Sequence, residues 1–220
     1  MNKRTVAKIT GWSLIAMALL AGFSVGFAYS KIYDPEQISA FKDNLLNNSQ
    51  LHIFMLLGIL IIVMLDLVVS ISLFHFFKND NKNISFVSTA FRIIYTMIFG
   101  IATYYLVQNF NPTELSNKVI NDNFQHFQSI WSAGLILFGV HLFLVGLLMK
   151  LHHKIPKILW MLALFAGVSY VVVHTLKLPT LDLEIAAKLE MILALPMAIG
   201  ELALAIWLLV KGGKENKLTV

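Results

Sequence analysis

The chain has 220 residues, of which 58% are hydrophobic and 13% are charged, with a formal net charge of +5 and no cysteine. Soluble domains average about 45–50% apolar and about 25% charged residues. The composition therefore excludes an ordinary soluble enzyme, a disordered chain and a nucleic-acid-binding protein, and it predicts a membrane protein. The absence of cysteine also excludes disulfides and thiolate chemistry.

A helix that crosses a bilayer needs about 20 mostly apolar residues, and six stretches of the chain meet this length. They lie near residues 9–29, 51–77, 84–107, 127–149, 158–176 and 189–210. Their apolar residues do not alternate strictly, which argues against barrel strands. A backbone in lipid must bond to itself, which favours helices. We therefore predict an all-α integral membrane bundle of six transmembrane helices, in a single domain over residues 1–220.

The first stretch also has features of a secretory signal. Lys3, Arg4 and Lys8 precede it, and residues 28–30 are suitable for cleavage. Its apolar run is longer than the roughly 7–15 residues of a signal core. This length favours an uncleaved span that stays in the membrane.

The connections between the predicted spans differ in charge and in length. With the N-terminus in the cytoplasm, eleven of the 17 Lys and Arg residues lie on the inner side, five on the outer side, and Arg92 within a span. Because cytoplasmic loops are rich in Lys and Arg, this bias predicts cytoplasmic N- and C-termini. It also explains the positive net charge without a nucleic-acid partner.

Two outer connections carry signals of short helices. The Asp-Pro-Glu at residues 34–36 combines a capping carboxylate with a proline suited to the first helical position. Apolar residues then recur at helical spacing over residues 38–45, which predicts a short surface helix. The Asn-Pro-Thr-Glu at residues 111–114 predicts a second helix start.

Ionisable side chains inside the predicted spans are expensive in lipid and are candidates for function. At about 1.5 Å rise per residue, several of them share a depth of roughly 12–16 Å from the end of the bundle that carries the termini. Tyr95 lies one turn further along the third stretch. We refer to this set as the polar layer, and it consists of Asp66, Arg92, Tyr95, His141 and Glu201.

Secondary candidates lie on the fifth and sixth stretches. Tyr170 and His174 are four residues apart and share one helix face. Pro196 lacks a backbone donor, and Gly200 directly precedes Glu201. We therefore expect a helix break at Pro196 and Gly200 beside an acid, an arrangement used by transporters, or alternatively a common kink in which neighbouring groups satisfy the freed carbonyl.

The first stretch carries small residues at a spacing of four, namely Ala18, Gly22 and Gly26. Such a stripe allows helices to approach closely. It packs either inside the chain or against a second copy in a homodimer. The first alternative is the more common use of such a stripe.

The polar layer is compatible with three functions. Two carboxylates share one permanent cation, so that either a carboxyl holds a proton or His141 is charged. A proton that moves between such groups is typical of a coupled carrier, whose ligands would be the proton and a small molecule. Alternatively, Asp66 pairs with Arg92, and Glu201 bonds to a carbonyl or to His141, only to hold the bundle together or to present a partner-binding surface. Third, Glu201 and His141 serve as acid and base of an intramembrane enzyme.

No sequence motif supports a cofactor, a bound metal or an enzyme. Dinucleotide, phosphate-loop and metalloprotease motifs are missing from the sequence. His152 and His153 are adjacent, so their side chains point in different directions and do not form a shared metal site. We therefore expect no cofactor, and we regard an enzyme as the less favoured alternative.

The last stretch reads Leu-Pro-Met-Ala-Ile-Gly-Glu at residues 195–201 and Ala-Ile-Trp-Leu-Leu-Val-Lys-Gly at residues 205–212. This run resembles the C-terminal signature of the bacterial integral-membrane family catalogued as domain of unknown function 4386. Residues 4–11 are similar to the opening of that family, Phe91-Arg92 to its arginine motif, and residues 154–159 to its basic-proline turn.

The resemblance covers nearly the whole chain and implies six helices in a cell membrane. It implies no known reaction, because the function of the family is uncharacterised. Many members have an acidic residue where this chain has Tyr95, so the resemblance implies no charge pair at that position.

Overall fold

The computed structural model describes residues 2–33, 37–178, 181 and 184–214, and the regular structure in these ranges is helical. Within them, six helices are long and apolar enough to cross a membrane. We number these spans in chain order: Lys3–Ile32, Ser49–Phe77, Lys82–Gln108, Asn117–Leu151, Lys157–Leu176 and Glu184–Val210. The prediction of an all-α bundle of six membrane-spanning helices is confirmed.

The fourth span begins about ten residues earlier than the sequence predicted. Ser116 caps it by accepting a hydrogen bond from the backbone N–H of Val119 at 3.3 Å. Its first three turns are amphipathic rather than wholly apolar, and they bury Ile120, Asn123 and Phe124. A search for uniformly apolar windows misses such a segment because half of its surface is polar.

Short helical segments occupy the predicted outer connections. A 3₁₀ turn at Ile38–Ala40 leads into a helix at Phe41–Asn47, and a second 3₁₀ turn spans Pro112–Glu114. Both predicted segments are thus helical. The proposed start at residues 34–36 lies outside the described residues.

These two connections are bonded to each other. Nζ of Lys42 donates to the carbonyl oxygens of Thr113 and Leu115 at 2.7 and 3.0 Å. The amide group of Asn117 accepts from the backbone N–H of Lys42 at 2.8 Å and donates to the Ser39 carbonyl at 2.7 Å. The two connections therefore form a small cap over the end of the bundle that lies opposite the termini.

The spans form a closed ring, since each one packs against its neighbours in sequence and the first packs against the sixth. The fourth and fifth spans approach each other closely at Gly139 and Gly167. A Cβ added at Gly167 would lie 2.6 Å from the backbone nitrogen of Phe143 and 2.8 Å from the Gly139 carbonyl oxygen. Only glycine permits this approach, because any side chain would force the helices apart.

The first and sixth spans are joined tightly at the end that carries the termini. Arg4 donates to the carbonyl oxygens of Leu208, Gly212 and Leu209 at 2.9, 2.8 and 2.5 Å. These carbonyls lie in the last turn of the sixth span and just beyond it, where a helix leaves carbonyl groups without helical donors, and that of Leu208 also accepts from the backbone N–H of Gly212 at 3.1 Å. The first span therefore caps the sixth and belongs to the bundle.

Further from the termini, the first and sixth spans leave a gap between them. The first span continues as a π-helix over Gly22–Tyr29, a wider helix that often occurs at functional sites. A Cβ at Gly22 would meet no atom within 4 Å, and one at Gly26 only the Ala21 carbonyl of the same span. The expected close packing of Ala18, Gly22 and Gly26 inside the chain is therefore wrong for both glycines.

The sixth span runs as one helix through Pro196. Gly200 lies against the fifth span, where an added Cβ would be 2.9 Å from the Cβ of Ala166. This corrects the helix break expected at Pro196 and Gly200. A proline removes one hydrogen bond, and packing against a neighbouring helix is sufficient to keep the rest of the helix intact.

Candidate functional site

The charged members of the polar layer meet at one guanidinium group. Nε of Arg92 donates to Oδ1 of Asp66 at 2.8 Å, and Nη2 lies 2.7 Å from the same oxygen. Nη1 donates to Oε1 of Glu201 at 2.6 Å and lies 3.1 Å from Nε2 of His141. The second, third, fourth and sixth spans are therefore joined through a single side chain. Glu201 bonds to Arg92 rather than to a carbonyl or to His141, which corrects that expectation.

The hydrogen bonds of His141 define its protonation state. A guanidinium can only donate, so Nε2 of His141 must accept from Arg92 and carries no proton. Nδ1 lies 2.8 Å from the carbonyl oxygen of Ser88 and 2.9 Å from its hydroxyl. Nδ1 therefore holds the proton of a neutral imidazole and donates it to the Ser88 carbonyl. Both ring nitrogens are engaged, so His141 has no free lone pair with which to act as a base.

The two carboxylates that share Arg92 differ in their surroundings. The Asp66 and Arg92 side chains are 0% exposed, whereas the Glu201 side chain is 23% exposed. Oδ2 of Asp66 is buried and has no hydrogen-bond partner among the described residues. One arginine thus links a carboxylate sealed in the protein to a carboxylate at the edge of open space.

That open space is a cavity of about 370 Å³ inside the ring of spans. Small-molecule sites typically have volumes of about 300–1,000 Å³. We call it the aromatic cavity. Asp66, Arg92 and Glu201 form its charged floor, and its walls carry the rings of Tyr95, Trp131, Phe138 and Tyr170.

Tyr95 belongs to the wall of the aromatic cavity. Its hydroxyl accepts a hydrogen bond from Nε1 of Trp131 at 3.4 Å, and its ring lies 4.9 Å from that of Phe138. Phe138 in turn lies under the guanidinium, with Cζ of Arg92 5.4 Å from the ring centroid. The contacts of Tyr95 are thus those of a wall residue rather than of a charge-pair partner.

A second cavity, of about 660 Å³, adjoins the first on the side away from the termini. We call it the polar cavity, because its lining includes Gln125, Gln128, Ser129, Ser132 and His174. Trp131, Leu135, Tyr170 and Met197 border both cavities. These four residues form the boundary between the polar cavity and the space above Arg92 and Glu201.

Of the secondary candidates, Tyr170 lies at this boundary, and His174 lines the polar cavity beyond it. Their rings are stacked with centroids 5.9 Å apart, as their shared helix face predicted. Nδ1 of His174 lies 2.9 Å from the hydroxyl of Ser132. The two residues are therefore separate from the Arg92 network and contribute to the walls of the polar cavity.

Sequence reasoning missed two residues of the site. Ser88 holds His141 in place, but a serine in an apolar helix is too common to attract notice. Trp131 borders both cavities, although a tryptophan near the end of a predicted span is equally typical of the membrane interface. The rotation of the fourth span about its axis decides whether Trp131 faces the membrane interface or the cavities.

The ring of apolar helices and its buried charge network define a multi-pass membrane protein. The chain belongs to the family described as Domain of unknown function (DUF4386), whose model matches residues 9–212. The resemblance seen in the sequence is thus confirmed. An uncharacterized protein of the archaeon Archaeoglobus fulgidus is 31% identical over 166 residues, which cover 76% of this chain and 88% of the relative. No solved structure matches the chain.

Proposed function

We propose that the protein is a small proton-linked carrier in which Glu201 alternately gains and loses a proton. The observation that carries this proposal is the asymmetry around Arg92. Both carboxylates border the aromatic cavity, but the Asp66 side chain is completely buried, whereas the Glu201 side chain is partly exposed. A carboxylate that exchanges protons needs contact with water, and one that anchors a helix does not.

The adjoining cavities supply a route for a small solute. The polar cavity lies at the end of the bundle away from the termini, and it shares four lining side chains with the aromatic cavity that contains Glu201. In carriers, movement of such a boundary exposes a central site to one side of the membrane at a time. Trp131 and Tyr170 are the bulky members of this boundary and would act as its gate.

The proposal places the protein in a bacterial cell membrane with both termini in the cytoplasm. The bias of Lys and Arg towards the terminal side supports this orientation. Reporter fusions at Gly213 and at Asn47 are expected to report cytoplasmic and external positions, respectively. A Gly213 fusion that reports an external position would contradict the orientation.

The carrier proposal is tested by thiol labelling, since the chain has no native cysteine. Met197 borders both cavities, so Met197→Cys reports the accessibility of their boundary. A membrane-impermeant thiol reagent is applied to either face of sealed vesicles at about pH 5 and pH 9, a range that brackets carboxyl titration. A carrier shows labelling from both faces, with a ratio that changes between the two pH values.

Two control variants complete this test. Thr113→Cys lies in an exposed turn that borders neither cavity, and its labelling rate follows only the ionisation of the thiol, so it corrects the other rates for that effect. Glu201→Gln in the Met197→Cys background should make the ratio of labelling from the two faces independent of pH. Labelling from one face only at both pH values would refute the carrier.

A second candidate function is a non-transporting membrane protein whose polar layer only holds the helices together or supports a partner-binding surface. The complete burial of Asp66 and Arg92 favours it, because buried polar groups join membrane helices. In that case Glu201→Gln would leave labelling at Met197→Cys unchanged. An intramembrane enzyme is the least supported alternative, since both nitrogens of His141 are occupied.

A further inference from the structure

We infer that the aromatic cavity binds an organic cation, an amine or quaternary ammonium group attached to an apolar body, and that this cation competes with the proton for Glu201. The inference rests on the proposed function and names its substrate class. Three independent features of the aromatic cavity carry it: the charge of its floor, the chemistry of its walls and the exposure of its rim.

The floor of the cavity has an excess of negative charge. Asp66 and Glu201 face a single guanidinium, and the hydrogen bonds of His141 leave it neutral. In addition, Oδ2 of Asp66 is buried without a donor among the described residues. A buried acceptor without a donor is costly, and a bound cation or a proton offsets the negative charge of this floor, whereas an anion adds to it.

The walls suit a cation that is also apolar. Four aromatic side chains line the cavity, and the electron-rich faces of such rings attract ammonium groups. Phe138 already has the Arg92 guanidinium over its ring at 5.4 Å. The remaining wall is aliphatic and includes Leu14, Ile62 and Leu135. A strongly hydrated inorganic cation would find few oxygen ligands here, whereas an organic cation finds both charge and apolar contact.

The rim of the cavity lies on the outer surface between the first and sixth spans. Ala18, Gly22 and Ala198 border the cavity, and Gly22 and Ala198 are also exposed. A Cβ at Gly22 would meet no atom within 4 Å. The cavity therefore reaches the surface that faces lipid, where an apolar body attached to the cation is favourable.

Competition with the proton follows from the groups that face Glu201. Arg92 of the third span contacts it, Asp66 and His141 reach it through that guanidinium, and Tyr170 of the fifth span faces it across the cavity. The part of the first span that borders the cavity, residues 14–22, has no ionisable group. Glu201 is the only carboxylate in this set with an exposed surface. Cation and proton therefore meet at the same group.

The test measures binding of benzyltrimethylammonium to the full chain in a non-ionic detergent by titration calorimetry. Its fixed charge cannot titrate, and phenylmethanesulfonate serves as an anion of the same shape. We expect the cation to bind at least about tenfold more tightly than the anion, a difference of about 1.4 kcal/mol. Affinity should fall from about pH 9 to pH 5, and titrations in buffers of different ionisation heat should show proton release on binding.

Variants assign the effect to the cavity. Glu201→Gln should weaken cation binding about tenfold or more and abolish proton release. Glu201→Asp keeps the charge and should retain most of the affinity. Trp131→Leu should weaken binding about threefold or more through loss of a cation–π contact. Glu114→Gln, which removes an exposed carboxylate far from the cavity, should change nothing.

Equal binding of the two probes, or cation binding that Glu201→Gln leaves unchanged, would overturn the inference. Should Glu201→Gln fail to fold, the comparison of the two probes on the native chain and the Glu201→Asp variant still decide the question. Absence of cation binding together with a labelling ratio at Met197→Cys that changes with pH would refute the inference alone. A ratio of labelling from the two faces that does not change with pH would refute the carrier itself.

Discussion

Arg92 forms two ion pairs of nearly equal length that lie in different surroundings. Its nitrogens are 2.7 Å from Asp66 and 2.6 Å from Glu201. The first pair is completely buried, whereas the Glu201 side chain of the second pair is 23% exposed at the edge of the aromatic cavity. Distance alone therefore does not separate a structural pair from one that can exchange a proton. Exposure separates them, because a charge that is completely buried has nothing to replace a lost partner.

The buried pair and the cavity-facing pair also join different helices. Asp66 ties the second span to the third, whereas Glu201 ties the sixth span to the third. The sixth span is held to the first near the termini by Arg4 and is separated from it at Gly22. The cavity-facing pair thus lies on a helix that borders the open space beside Gly22. Four variants test how far the two pairs differ.

Arg92→Ala should have the largest effect on stability. It leaves Asp66 buried without a cation, and loss of one member of a buried pair costs about 3–5 kcal/mol. The double variant Arg92→Ala with Asp66→Ala should recover part of this loss, because no sealed charge remains. The measurement is unfolding of the detergent-purified protein. A double variant at least as unstable as the sum of the single ones would argue against direct pairing.

Asp66→Asn should have the next largest effect. Asparagine keeps the shape of the side chain but removes the charge that faces Nε and Nη2 of Arg92, so a loss of about 3 kcal/mol is expected. Glu201 still compensates the guanidinium, which keeps the loss below that of Arg92→Ala. Thermal melts of the two variants under one set of conditions give the order. A melt like that of the native chain would show that the buried pair contributes little.

Ser88→Ala should have a smaller effect. It removes a hydroxyl 2.9 Å from Nδ1 of His141 but leaves the Ser88 carbonyl that accepts the imidazole proton. Loss of such a contact costs about 1 kcal/mol. Ser169→Ala is the matched control, because that hydroxyl bonds only to the Phe165 carbonyl of its own helix. Equal melts for the two variants would indicate that the Ser88 hydroxyl does not stabilise His141.

Glu201→Gln should have the smallest effect on stability. The glutamine oxygen can still accept from Nη1 of Arg92, and partial exposure screens the lost charge, so we expect about 1 kcal/mol or less. The same change should abolish the pH response of labelling at Met197→Cys. A loss of stability as large as that of Asp66→Asn would show that the cavity-facing pair is structural as well.

The amino-acid sequence determined the properties that depend on position along a helix. Six apolar stretches predicted the six spans, because length and hydropathy are sufficient to identify a helix in lipid. The constant rise per residue placed Asp66, Arg92, His141 and Glu201 at one depth, and these four residues do meet. The motif at residues 195–212 indicated the family that the chain belongs to.

The tertiary structure alone decided the properties that depend on the rotation and the separation of the helices. It placed Glu201, and not Asp66, at the exposed edge of the cavity, and it placed Trp131 in the cavity walls. It also left Gly22 without a neighbour and kept the sixth span continuous through Pro196. Rise along an axis follows from local geometry, whereas the direction in which a side chain points is set by the packing of all six helices. In a chain that is apolar on nearly every helix face, hydropathy carries no signal for that direction.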